Sequence, residues 1–361
     1  MKASRSQTEP ARMWSWLRTS RRGRVSAGDL HALLTPVNCR SQPNLNELRL
    51  VADAINPLSL SIKQMGYALA RQLAAALPHP ASTMAYKIGL RSSLSTQAAI
   101  ESGWVAHWCR ELGMATVYHR KIWELCFVLQ AIYEAGVLQE GARGLGFGCG
   151  TEPLPSYFAA RGIAVMATDL PPDDAASGGW IRTGQHATAP EQAFMPHLVD
   201  RDRFDRLVGM RHVDMNDIPQ DLRAFDFCWS ICALEHLGSI ELALRFVERA
   251  MDTLKPGGIA AHTTEYNISN DGPTIDNWPT VALQRRHLEE LAERLSRQGH
   301  DVAPFDFSLG EGPLDGFVDV PPHVHDLPEE LARWLGPPAH LKVAFGSTIV
   351  TCIGLIIRKR A

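Results

Sequence analysis

Long apolar runs are missing from this chain of 361 residues. No stretch approaches the ~18 consecutive apolar residues of a membrane-spanning helix, so no membrane partner is expected. The first 24 residues carry seven Lys or Arg against one Glu, but no apolar run follows that would serve as a signal-peptide core. A frayed basic tail over residues 1–40 and a cytoplasmic location are the expectations. An excess of basic charge is also missing: 36 Lys and Arg stand against 39 Asp and Glu, for a net charge of −3. No overall field recruits polyanions, and no nucleic-acid partner is expected. The seven cysteines are odd in number and scattered, with no C-x-x-C pair among them. That excludes a disulfide framework and a zinc knuckle, and the cysteines read as small core residues in a reducing compartment with no metal site. Internal repeats and long low-complexity tracts are absent as well.

What is present is the balance of a soluble chain with a core, 45% apolar and 21% charged, long enough for one large or two modest domains. Residues 41–140 read as a helical region. One helix is expected over about Asn44–Leu77 with a break at Pro57, and another over about Thr96–Glu134. Beyond Gly141 short apolar runs alternate with amphipathic helices, the pattern of βαβ units and a parallel sheet. Strands are expected at Leu145–Phe147, Ile163–Thr168, Phe225–Ser230, Ile259–Thr263, Val302–Phe307 and Thr348–Ile357. Crossover helices are expected after Ser239, a capping residue, and from about Thr280 to Gly299. The last two strands lack a helix between them and must therefore run antiparallel.

The central chemical signal is Gly144-Leu-Gly146-Phe-Gly148-Cys-Gly150-Thr-Glu-Pro, set between a strand and a helix. Glycines here allow a sharp turn and close approach of backbone to ligand. A dinucleotide fingerprint, G-x-G-x-x-G, would need its third glycine at 149, 151 or 153, where Cys, Thr and Pro stand. The nicotinamide reading fails on spacing. The loop resembles motif I of the class I S-adenosylmethionine-dependent methyltransferases, with Gly148-Cys149-Gly150 at its core. Two positions depart from it: Gly146 stands in place of the usual acid, and Glu152 in place of the third glycine.

Four further segments match that superfamily in order. Asp169 ends the second strand, where a carboxylate accepts ribose hydroxyls, although a helix N-cap is the plainer role for it. Val213-Asp214-Met215-Asn216 resembles the adenine loop. Leu234-Glu235-His236 after the fourth strand and Leu254-Lys-Pro-Gly-Gly258 before the fifth resemble small-molecule methyltransferases. Over 141–361 the resemblance implies a seven-stranded, mostly parallel sheet with helices on both faces and an antiparallel last strand. The helical region before it lies outside the resemblance and is expected to be an acceptor-covering cap or a dimerisation element. The resemblance also implies S-adenosylmethionine as cofactor, held by Gly146, Phe147, Gly148, Gly150, Asp169, Leu170, Asp214, Met215 and Ser230. Arg120, on the helix leading into the glycine loop, is a candidate partner of the methionine carboxylate, with a solvated charged turn as its competing role.

Candidate proton acceptors lie at the carboxyl ends of strands four and five: His236 first, then Glu265 and His262. For His236 the competing role is a hydrogen bond within its own loop. A divalent-metal set drawn from Glu235, His236, His262 and Glu265 is the disfavoured reading of the same residues. Two insertions, 171–210 with Trp180 and His186, and 310–340 with Asp315, Asp319, His323 and His325, are expected to line the acceptor side. The expected function is methyl transfer to an oxygen or nitrogen of a small molecule or glycan. A non-catalytic cofactor-binding protein is the alternative.

Overall fold

The computed structural model describes residues 45–77, 84–172, 186–346 and 348–360. Trp180 and the expected tail over 1–40 lie outside the described residues. Packing divides the chain into two units, Met1–Ser61 and Ile62–Ala361. Helix α1, Leu45–Ala76, runs through Pro57 without the expected break. Proline removes only one donor and crowds one carbonyl, and a helix of 32 residues keeps enough bonds on either side to tolerate it. The second expected helix is instead three: Gln97–Ile100, α2 (Gly103–Glu111) and α3 (Arg120–Glu134). Ser102 caps α2 through its hydroxyl, and Gly113, at φ +66°, turns the chain away after it.

The second unit is built on one sheet of nine strands among the described residues, two more than expected. In chain order these are β1 (Arg143–Phe147), β2 (Ala164–Asp169), β3 (Val208–His212), β4 (Phe225–Ile231), β5 (Leu254–Asn267), β6 (Asp301–Val302), β7 (Val318–Asp319), β8 (Lys342–Phe345) and β9 (Thr348–Arg358). The spatial order is β3-β2-β1-β4-β5-β9-β8-β7, with β6 pairing beside the far end of β9. Strands β3 to β5 along this path are parallel, and β9 runs antiparallel to β5 over Val350–Asn267 to Arg358–Ile259. The last strand is antiparallel as expected, but the connection before it is not helix-free: it carries the short helix Glu329–Leu335. The expected strand Val302–Phe307 is divided: Asp301–Val302 joins β9, whereas Phe305–Asp306 pairs with Ser92–Ser93 in a separate ribbon.

Helices α4 (Leu154–Ala160), α5 (Arg201–Leu207), α6 (Ile240–Ala250) and α7 (Arg285–Arg297) complete the layers. Ser239 caps α6 as its sequence suggests, accepting from Leu242 N at 3.2 Å, and the helix buries Leu244, Phe246 and Val247. Helix α3 lies against the sheet itself, with eleven consecutive residues from Ile122 to Ile132 buried. Its contact with β9 is close: a Cβ at Gly354 would meet the Phe127 ring at 2.2 Å. Residues 62–140 therefore share one packed unit with the sheet.

The excursion 310–340 is held by its own acids. Asp315 accepts from Gln97 N at 2.9 Å and Gly312 N at 3.0 Å, and Asp319 pairs with Lys63, Tyr67 and His340. These side chains hold the excursion against the rest of the unit and do not reach the cavity described next, which corrects their expected acceptor-side role.

Candidate active site

The carboxyl ends of β1, β2 and β4 border a cavity of about 1030 Å³, the crevice where open α/β sheets bind ligands. The glycine loop forms its floor. Gly148 and Gly150 adopt φ +59° and +51°, a left-handed backbone that favours glycine. A Cβ at Gly148 would stand 2.8 Å from that of Ala233, so a side chain there would press on the opposite wall. Asp169 fastens the loop: its Oδ2 accepts from Gly150 N at 3.2 Å and Ala187 N at 3.1 Å, and its Oδ1 from Leu170 N at 2.9 Å. It thus caps backbone donors and lines the cavity as well.

The same wall carries Leu170, Asp214, Met215 and His186, the last as expected from the first insertion. His186 Nε2 lies 2.9 Å from the Leu170 carbonyl; a carbonyl only accepts, so Nε2 carries the proton and Nδ1 is a bare acceptor. Two buried acceptors on this wall, His186 Nδ1 and Asn216 Oδ1, have no hydrogen-bond partner among the described residues. Buried acceptors without donors are costly, and the hydroxyls and amino group of an adenosine are donors of the kind they lack. The residues present therefore fit the nucleoside end of S-adenosylmethionine.

Both departures from motif I meet at one side chain. A Cβ on Gly146 would lie 2.4 Å from the Trp229 indole and 2.2 Å from Cys149 Sγ, so no acid has room there. Trp229 Nε1 in turn donates to Glu152 Oε2 at 3.2 Å, and Glu152 lines the cavity. Position 146 thus offers no acid to the cavity, whereas position 152 presents a carboxyl held by Trp229. Desolvation holds this carboxyl up, to about 8.

His236 also lines the cavity. Its Nδ1 is 3.0 Å from the Pro279 carbonyl and 3.1 Å from Thr280 Oγ1, which places the proton on Nδ1 and makes Nε2 the unprotonated ring nitrogen. Burial lowers its pKa to about 4, so the ring is neutral at physiological pH. The loop hydrogen bond and the cavity position coexist.

The other sequence candidates lie elsewhere. His262 is fully buried on β5, its Nδ1 2.8 Å from Ser230 Oγ and its ring edge-on to Phe246; that bond also takes Ser230 away from the cavity. Glu265 forms an ion pair with Arg120 at 2.5 Å, which occupies both. Gly146 and Phe147 lie inside the sheet layer. None of these six lines the cavity. The four-residue metal set does not converge, because His262 sits apart from Glu235 and Glu265. What sequence reasoning missed is Lys121, Glu152 and Asn216 on the wall and Met114 and Leu125 from the helical region. For Lys121 a signal existed in its i,i+3 spacing to Glu124, to which it pairs at 3.3 Å.

Residues 145–262 match the family model of a methyltransferase domain. No curated protein sequence matches the chain. Solved structures similar to it include one described as a sarcosine dimethylglycine methyltransferase from Galdieria sulphuraria, at 16% identity and TM-score 0.40 over 66% of this chain and 88% of that one. Another is an S-adenosylmethionine-dependent methyltransferase from Clostridium acetobutylicum, at 10% identity and TM-score 0.36, covering 65% and 90%. A third is phosphoethanolamine N-methyltransferase 2 of Haemonchus contortus, at 13% identity and TM-score 0.40, covering 71% and 53%.

Proposed function

Starting from a methyltransferase domain at residues 145–262 with S-adenosylmethionine as its cofactor, we propose that this chain transfers a methyl group to an oxygen or nitrogen of a small molecule or glycan. The observation that carries the reading is the single cavity that the glycine loop, Asp169, Asp214 and His236 share at the carboxyl edge of the sheet. Gly148 and Gly150 admit the cofactor backbone-close, Asp169 with His186 takes the ribose, and Asp214, Met215 and Asn216 take the adenine. Glu152 replaces the motif I acid at the methionine ammonium, and its bond from Trp229 supports an adapted loop over a decayed one.

The cofactor supplies an already activated methyl, so the protein's part is alignment, exclusion of water and removal of a proton from a hydroxyl or amine acceptor. His236 Nε2 is the acceptor of that proton. Glu265 and His262 act at most through their neighbours, because neither borders the cavity.

Calorimetric titration of the protein with S-adenosylmethionine and S-adenosylhomocysteine tests this. Micromolar binding is expected, with a loss of at least about 100-fold in Asp169→Ala, which removes both ribose acceptance and the anchor of Gly150. Absence of binding in the wild-type chain would sink the reading.

A further inference from the structure

Where α3, β9 and the loop after β4 meet, three side chains crowd together that methyl transfer does not use. Cys232 Sγ lies 3.5 Å from Cys352 Sγ, and Cys352 Sγ lies 3.0 Å from Glu124 Oε1. The donor atoms of all three fall within 4.8 Å of one another. We propose that Glu124, Cys232 and Cys352 hold a soft divalent cation of the zinc type at the edge of the cavity.

The donor set selects the ion. Two thiolates and a carboxylate suit zinc over magnesium or calcium. The spacing fits as well: sulfurs on a tetrahedral zinc, each about 2.3 Å from the metal, stand ~3.8 Å apart, whereas a disulfide draws them to about 2.05 Å. The residues come from three elements, so the ion would join α3 to the sheet. Cys232 alone of the three lines the cavity.

Supporting contacts orient the donors. Glu124 Oε2 is taken up by Thr263 Oγ1 at 2.9 Å and Lys121 Nζ at 3.3 Å, which turns Oε1 toward Cys352. Cys232 sits at φ +46°, held by its N–H bonds to Thr263 O and Oγ1 at 3.1 and 3.2 Å.

A second triad, Cys232 with Glu235 and Glu265, shares the first thiol. In it Glu235 is fully buried, and its Oε1 has no hydrogen-bond partner among the described residues. That orphaned acceptor lies beside Cys232, next to the three proposed donors and not among them. Charge is conserved throughout. Lys121 and Arg120 already face Glu124 and Glu265, and exchanging two thiol protons for one dication leaves the net charge of the cluster unchanged.

The inference is independent of the methyl-transfer reading and is tested on the full, reduced chain by titration with Co²⁺. A near-ultraviolet thiolate-to-cobalt charge-transfer band saturating at about one ion per chain, displaced by Zn²⁺, is expected, with release of about two protons read by calorimetry in buffers of different ionisation enthalpy. Cys352→Ser and Glu124→Gln should each weaken binding by more than about tenfold. Cys109→Ser, in the other close thiol pair at 3.8 Å from Cys126, should leave it unchanged. Reduced wild-type protein that gives no charge-transfer band overturns the proposal, whatever the variants do. So does a band that survives substitution of both Cys232 and Cys352, or a thiol count two short that reveals a disulfide in place of the ion.

Discussion

Trp229 shows how one side chain rewrites a loop. Its indole fills the space at 146 and its N–H presents Glu152 to the cavity, so two substitutions that look like losses in the sequence are one rearrangement in space. The rearrangement has a pH signature. The Glu152 carboxyl is raised by desolvation to about 8, so between the ordinary carboxylate value and that point the folded chain binds a proton that the unfolded chain has released. Stability contributed by this group is full below about pH 4 and declines as pH rises to about 8. Glu152→Gln removes the titration. The variant should melt above the wild type at about pH 9 and with it at about pH 4, and thermal scans of both proteins without ligand would show this; an equal gap at both pH values would place the effect elsewhere. At about pH 9, where the wild-type Glu152 is ionised, the same variant should bind S-adenosylmethionine more weakly, because an amide does not pair with an ammonium as a carboxylate does.

Among the elements, α3 does the most to join the cavity to the core. Its one face buries Phe127 against Gly354 of β9, while its first turn delivers Lys121 to the cavity and Glu124 to the thiols. Phe127→Ala leaves a void beneath the helix and should cost about 3–5 kcal/mol, measured as a shift in urea midpoint. A loss below about 1 kcal/mol would mean that the helix collapses onto the strand and that the contact is not tight. Periodicity indicated α3, because its apolar residues recur at helical spacing. It did not indicate β3, since Val208–His212 is an edge strand with one buried residue in five and no run of apolar residues to mark it. The breaks inside Thr96–Glu134 were also hidden, being set by Ser102 capping and the left-handed turn at Gly113 and not by proline.

At the scale of the molecule, every described residue lining the cavity falls between Met114 and Thr280. The sequence by itself determined the alternation of strands and helices and the order of the glycine loop, Asp169, the adenine loop and His236, because each of these rests on residues close together in the chain. Only the tertiary structure decided which side of the sheet each later candidate faces. His262, Glu265 and Arg120 sit at the right places along their elements, yet a one-residue step on a strand turns a side chain to the opposite face. The thiols at 232 and 352, 120 positions apart, meet because β9 returns antiparallel beside β5, a pairing that no local spacing encodes.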